Sequence, residues 1–146
     1  MNRPVKIPDA SHAIRIVPGA SPIVVTVAGK VIADTVRALV LSEASYPPVF
    51  YIPRRDVDMA LLTRSACITY CPYKGDAAHY SIPVGGHRSV NAAWSYEAPF
   101  AAVAAIRGYL AFYPDRVDSI VEWFGDCPLA LPGHDLALGP MQHAGQ

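Results

Sequence analysis

The chain has 146 residues and no net charge, with 52% hydrophobic and 16% charged residues. This length supports one domain with a sizeable core but not two ordinary domains, and the charged fraction lies below the roughly 25% usual for soluble domains. No basic cluster exceeds Arg54-Arg55, so the electrostatic signature of a protein that binds nucleic acid is missing.

The first half of the chain predicts short strands. A tight hairpin is predicted over 24–32, centred on Ala28-Gly29-Lys30. Alternation of apolar and polar residues predicts a half-buried strand over 37–43, and 49–52 predicts another. The period changes after Pro53, and we expect a short helix over 56–64 that begins near Asp56, where an acid suits the free N–H groups.

The second half predicts strands over 67–71, 77–83, 88–96, 108–113 and 117–124. A helix is the alternative for 117–124, since Val117, Ile120, Val121 and Phe124 also match a period of 3.6 residues. Gly85-Gly86 lies between two of them and signals a second hairpin, and 101–106 predicts a helical turn. The 14 prolines are spread along the chain, which favours short strands and shaped loops over long helices. The pattern therefore predicts a mainly β fold, α+β at the margin, as a compact antiparallel barrel-like or tent-like single domain with one or two short helices.

We assign residues 1–127 to this domain and 128–146 to a C-terminal tail rich in Pro and Gly. The tail has no clear period, and we expect it to dock on its own domain or on a neighbouring chain. Together with the low charge, it allows a homo-oligomer interface.

The location of the protein is predicted from three features. Residues 1–10 carry charges without an apolar stretch, so they do not form a secretory signal. The longest uncharged apolar run, 98–106, is far shorter than the roughly 20 residues that cross a bilayer. Three cysteines are too few and too unevenly spaced for a disulfide scaffold. We expect a cytoplasmic protein without a membrane partner.

The stretch from Thr69 to Tyr80 concentrates reactive side chains around Cys71-Pro72-Tyr73-Lys74-Gly75. A thiolate is the reactive form of cysteine, and a neighbouring ammonium favours it, so Cys71 is the candidate catalytic residue. The alternative is a buried cysteine at a strand end, with Pro72 and Gly75 only shaping the turn.

Aromatic and cationic residues complete a candidate pocket. Trp94 and Tyr96 share one face of a predicted strand and could stack on a flat ligand, and Tyr80 could join them across the Gly85-Gly86 hairpin. Cationic side chains at turns can hold a carboxylate or phosphate. The predicted ligand-binding residues are Lys74, Gly75, Arg54, Tyr80, Trp94 and Tyr96. Plain core packing remains the alternative for the aromatic residues.

No metal site or cofactor is assigned. Cys67 and Cys71 are four residues apart, and no C-x-x-C pair is present to form a zinc knuckle. The chain also lacks a P-loop, a G-x-G-x-x-G fingerprint and a G-x-S-x-G elbow.

The order of several motifs resembles a bacterial family known as domain of unknown function 427, over about residues 13–123. The resemblance is carried by Val27-Ala28-Gly29, Glu43, Tyr51-Ile52-Pro53, Asp56-Val57, Leu61, residues 69–75, Tyr80, Ala93-Trp94-Ser95-Tyr96, Pro99 and Ala111-Phe112-Tyr113. It implies a small, compact, mainly β domain and brings no established activity. A nucleotidyltransferase-like label sometimes given to the family is not supported here, because no Gly-Ser loop precedes an Asp-x-Asp pair.

Three functional hypotheses follow from these residues. The first is a pocket around the Cys-Pro-Tyr-Lys-Gly turn that binds a small anionic or aromatic ligand. The second is a homo-oligomeric interaction module without catalysis. The third is a cysteine-dependent enzyme that uses Cys71, with His79 as the base closest in sequence.

Overall fold

The structure is a computed structural model that describes residues 3–124 and 127–130, with the backbone alone for 124 and 127–130. The described residues form eleven strands: β1 (Ile14–Pro18), β2 (Ile23–Val27), β3 (Lys30–Thr35), β4 (Leu39–Glu43), β5 (Val49–Tyr51), β6 (Thr63–Cys71), β7 (Gly75–Ser81), β8 (Ala93–Ser95), β9 (Ala111–Phe112), β10 (Ser119–Phe124) and β11 (Cys127–Ala130). Short 3₁₀ helices cover Arg54–Asp56, Met59–Leu61, Pro83–Ser89, Ala101–Ile106 and Pro114–Arg116. The mainly β prediction is confirmed.

The strands form three antiparallel sheets, in the orders β1-β4-β5, β11-β10-β2-β3 and β6-β7-β8-β9. None of these sheets closes on itself within the described part of the chain, so the barrel-like form of the prediction is not adopted. An isolated bridge between Ile52 and Leu110 links the end of β5 to the start of β9.

The first predicted hairpin is confirmed. Val27 pairs with Lys30 across a loop of two residues. Ala28 and Gly29 both have positive φ, at 52° and 76°. This conformation suits the twist of the two strands, which is why such turns join β-hairpins.

The predicted helix over 56–64 is wrong. Val57 takes an extended conformation instead and bridges Ala33 of β3. Asp58 N–H also donates to the Ile32 carbonyl, at 2.8 Å. These contacts to β3 break the segment into two 3₁₀ turns, and β6 begins at Thr63.

Two other expectations concern the connection between β7 and β8 and the predicted C-terminal tail. β7 and β8 pair as predicted, but the 3₁₀ helix Pro83–Ser89 joins them instead of a tight turn. β11 pairs with β10, while the rest of the predicted tail, 131–146, lies outside the described residues.

No helix in the described ranges is long and apolar enough to cross a membrane.

The β6-β7-β8-β9 sheet separates two cores. Tyr80 pairs with Ala93, and its neighbour His79 pairs with Trp94. Because side chains alternate along a strand, Tyr80 and Trp94 lie on opposite faces. Tyr80 belongs to the core packed against β2 and β3, whereas Trp94 belongs to a second core formed with β4 and β5.

Candidate functional site

The β6–β7 hairpin places Lys74. Its N–H donates to the Cys71 carbonyl, at 3.2 Å, and Cys71 pairs with Gly75. Gly75 has φ +106°, a conformation that side chains rarely adopt, so glycine is needed for the chain to enter β7. The Lys74 carbonyl accepts from Phe100 N–H, at 3.0 Å. The turn is therefore held from both sides, and the lysine side chain is 1% exposed.

Lys74 forms a buried ion pair with Glu43, the last residue of β4. Its Nζ donates to Oε1 of Glu43, whose side chain is 3% exposed. The other carboxylate oxygen, Oε2, lies 2.7 Å from Nε2 of His12, which is 24% exposed. Glu43 thus joins a fully buried ammonium to a histidine at the surface.

This ion pair is costly to keep inside a domain. Removing two charges from water carries a penalty that their attraction often fails to repay, and well-packed apolar residues in their place are often as stable. The buried pair therefore makes this region the candidate functional site.

Tyr96 adds a hydroxyl without a partner to the same cluster. The residue is fully buried, and its Oη makes no hydrogen bond within the described part of the chain. Nζ of Lys74 lies 5.9 Å from the centre of its ring. Burial raises the pKa of Tyr96 well above its usual value, and the nearby Tyr51 adds to the effect. The phenol stays protonated at physiological pH and can donate a hydrogen bond.

Aromatic rings surround these polar groups. Trp94 Nε1–H donates to the Tyr51 hydroxyl at 3.2 Å, with the two rings edge to face. Tyr113 lies against the other side of Trp94, at 4.5 Å between ring centres. Toward the surface, Tyr73 stacks on the imidazole of His12 at 4.1 Å and 6°. We call Glu43, Lys74, Tyr51, Trp94 and Tyr96 the Lys74 cluster.

Cys71 packs in the same hydrophobic core as the aromatic residues of the Lys74 cluster and is 4% exposed. His79, the base proposed for it, lies on the same sheet face, but its described contacts are with other residues. Its Nε2 lies 2.9 Å from Thr69 Oγ1, and its ring stacks beside Tyr113. No hydrogen bond between Cys71 and His79 occurs among the described residues, so the catalytic role of Cys71 stays a prediction.

Arg54 and Tyr80 lie together, but on the opposite side of the sheet from Lys74. The Tyr80 hydroxyl donates to Glu97 at 2.6 Å, and Arg54 Nη2 donates to the same carboxylate at 3.1 Å. Arg64 donates to the other oxygen of Glu97 at 2.7 Å. Burial alone would raise the pKa of Glu97, but the bonds from Tyr80 and Arg64 outweigh it, and this pKa lies below its usual value.

The predicted pocket residues therefore fall into two groups. Lys74, Gly75, Trp94 and Tyr96 build or border the Lys74 cluster, while Arg54 and Tyr80 form a surface network with Glu97. Beside that network is an open groove of about 260 Å³, lined by Arg64, Ile68, Asp76, Ala78, Glu97 and Ala98. Within the described residues, no group of three or more His, Cys, Asp or Glu is placed to hold a metal ion.

Sequence reasoning missed Glu43, His12 and Tyr51 as members of the site. For Glu43 a signal exists, because alternation along β4 puts it on the same face as the apolar Leu39 and Leu41. A carboxylate at a core position needs a cationic partner, and Lys74 is that partner. His12 gives no such signal, because only the fold brings it to Glu43.

A search of the curated proteins found no match. The model of the family described as Domain of unknown function (DUF427) matches residues 15–123, which is most of the chain. Glu43, Tyr51, Lys74, Trp94 and Tyr96 all lie inside the matched range and among the motifs that carry the resemblance. The chain therefore belongs to the family of the Domain of unknown function (DUF427).

Proposed function

We propose that the domain binds a small neutral ligand at the Lys74 cluster. The observation that carries this proposal is the Tyr96 hydroxyl, which is fully buried and makes no hydrogen bond to any residue that the structure describes. A buried donor without a partner costs about 1–3 kcal/mol. A ligand oxygen that accepts from this phenol would remove the cost, so the ligand carries an acceptor such as a carbonyl.

The charges of the cluster favour a neutral ligand. The ammonium of Lys74 is already balanced by the carboxylate of Glu43. Because the pair has no net charge, an added anion or cation would lose its hydration without gaining an unbalanced charge of opposite sign, which is costly in a buried site. Of the anionic and aromatic ligands that the sequence suggests, the geometry supports the aromatic one.

The rings around the cluster favour a flat ligand. The Trp94 ring contacts the Tyr51 ring edge to face and lies 4.5 Å from the Tyr113 ring, so three aromatic rings adjoin one another here. Such rings bind planar groups by offset stacking or edge contacts, and a polar tip on the ligand then fixes its orientation. The proposed ligand is therefore a planar molecule with a carbonyl oxygen and no charge.

The test compares two probes of one shape. Benzamide is neutral and carries a carbonyl, whereas benzoate carries a negative charge. Saturation-transfer NMR on the full chain should show binding of benzamide and weaker binding of benzoate. Tyr96→Phe should lose the benzamide signal, and Tyr109→Phe, which removes a phenol at the margin of the same core, should keep it.

Benzamide that fails to bind, or that binds Tyr96→Phe as well as the native chain, would overturn the proposal. Equal binding of benzoate would refute the charge argument. Fluorescence of Trp94 in a Trp123→Phe background gives an independent readout, because the chain has two tryptophans and Trp94 is the one inside the cluster.

A further inference from the structure

Residues 3–12 lie across the β6–β7 hairpin and cover the Lys74 cluster; we call this segment the strap. Its contacts near the chain start fall on residues of the hairpin. Lys6 N–H donates to the Pro72 carbonyl at 2.9 Å, and the Tyr70 hydroxyl donates to the Pro4 carbonyl at 2.6 Å. The strap therefore touches the turn that carries Lys74.

A charged contact adds to these two bonds. Arg3 forms an ion pair with Asp76 at 2.5 Å, and its guanidinium lies 4.1 Å from the centre of the Tyr70 ring. Both partners belong to the same hairpin, on β6 and β7. Arg3 makes no described contact with the Lys74 cluster, so it reports on the strap alone.

The other end of the strap presents His12 to the cluster. Asp9 Oδ1 accepts from the N–H groups of Ser11, at 2.9 Å, and of His12, at 3.2 Å. This Asx turn fixes the backbone just before His12. The imidazole then lies between Tyr73 and Glu43, above the buried ion pair. The His12 side chain is 24% exposed, so it lies between the Glu43 carboxylate and solvent.

The strap is weakly held along its length. Residues 3–7 are all exposed, and the two large apolar side chains, Val5 and Ile7, are 61% and 80% exposed. Its first residues bury little apolar surface, and the Arg3–Asp76 ion pair is exposed, a kind of pair that adds little stability. Segments with few buried contacts open without unfolding the rest of a domain.

We propose that the strap opens as one unit to admit ligand to the Lys74 cluster. This inference rests on the proposed function, because a ligand needs a route to groups that are 1–3% exposed. Opening removes His12 from Glu43 and frees the hairpin turn, while β1, which begins at Ile14, stays paired with β4. The buried ion pair then faces solvent.

The test is acetylation of lysines, followed by mass spectrometry, and it needs no ligand. The chain has three lysines, of which Lys6 and Lys30 are exposed and Lys74 is buried. Opening should limit the labelling of Lys74, with Lys30 as the internal reference. His12→Ala removes a bond to a carboxylate and should speed Lys74 labelling by about ten- to a hundredfold.

Arg3→Ala is the decisive variant, since it acts far from Lys74. Loss of the Asp76 ion pair and the Tyr70 contact should speed Lys74 labelling by about five- to twentyfold. Arg37→Ala, which removes the ion pair of a similarly exposed arginine with Asp56, is the matched control and should leave the rate unchanged. Global unfolding also breaks the Arg3 contacts, so the urea midpoint of Arg3→Ala should fall by the free energy that speeds the labelling. Labelling of Lys74 should nevertheless stay independent of urea below the unfolding transition, because local opening exposes little surface.

An unchanged rate in Arg3→Ala, or an equal rise in Arg37→Ala, would overturn the strap as an opening unit. A labelling rate of Lys74 that rises with urea as steeply as global unfolding would also overturn it, because global unfolding would then expose Lys74. Failure of this test leaves benzamide binding unaffected, and failure of benzamide binding leaves the labelling rates unaffected, so the two proposals fail separately.

Discussion

The buried ion pair between Lys74 and Glu43 allows a quantitative test of its role. Lys74→Met leaves the Glu43 carboxylate buried at 3% exposure, with His12 as a remaining partner at 2.7 Å. Breaking a buried pair costs about 3–5 kcal/mol. Because His12 still contacts the carboxylate, we expect the lower end of this range, about 3 kcal/mol. Glu43→Leu leaves an ammonium that is 1% exposed without its carboxylate partner, and should cost about 5 kcal/mol.

The double variant Glu43→Leu/Lys74→Met removes both charges and fills the space with apolar groups. Such replacements are often neutral or stabilising by about 1–4 kcal/mol. We therefore expect a free energy of unfolding equal to or above that of the native chain. Urea unfolding, with an unchanged m-value, measures the unfolding free energy of the native chain, of the two single variants and of the double variant. A double variant as unstable as the sum of the single variants would refute the reasoning, since the pair would then hold the fold together.

Three further predictions concern neighbouring residues. Burial and the nearby Arg116 lower the pKa of His79 in the folded chain, so the neutral ring contributes its full stability above the unfolded pKa of about 6.5. That contribution is lost as pH falls through the pKa of the folded state. The unfolding free energy of His79→Gln, measured in urea, should therefore fall less from pH 7.5 to 5 than that of the native chain, and an equal fall would contradict the assignment. Gly75→Ala should lower the unfolding free energy by about 1–3 kcal/mol because φ is +106°, whereas an unchanged urea midpoint would show that the turn relaxes. Iodoacetamide should alkylate Cys67, which is half-buried, faster than the buried Cys71, and faster labelling of Cys71 would restore the cysteine-enzyme hypothesis.

Local sequence signals predicted much of the fold. The Ala28-Gly29 turn and the alternation in β4 depend on neighbours in the chain, and both are confirmed. The helix over 56–64 failed because Val57 bridges β3, a contact between distant residues that outweighs local period. β1 was not predicted, and its pairing with β4 is likewise long-range.

The predicted site residues lie together only in part, for the same physical reason. The sequence pointed to Lys74, Trp94 and Tyr96, which do meet in one core. It placed Tyr80 beside them, but strand register puts Tyr80 opposite Ala93, on the other face of the sheet. A shift of one residue in register changes the face of a side chain, and that register is set by the whole sheet.

The central claim is that the Tyr96 hydroxyl is present for a ligand and not for stability. The most direct measurement is the unfolding free energy of Tyr96→Phe without ligand, compared with Tyr51→Phe. Because the Tyr96 hydroxyl is buried without a partner, its removal should leave stability unchanged or raise it by up to about 1–3 kcal/mol. Tyr51→Phe breaks the bond from Trp94 and should lower stability by about 0.5–1.5 kcal/mol. A Tyr96→Phe variant that loses as much as Tyr51→Phe would contradict the claim.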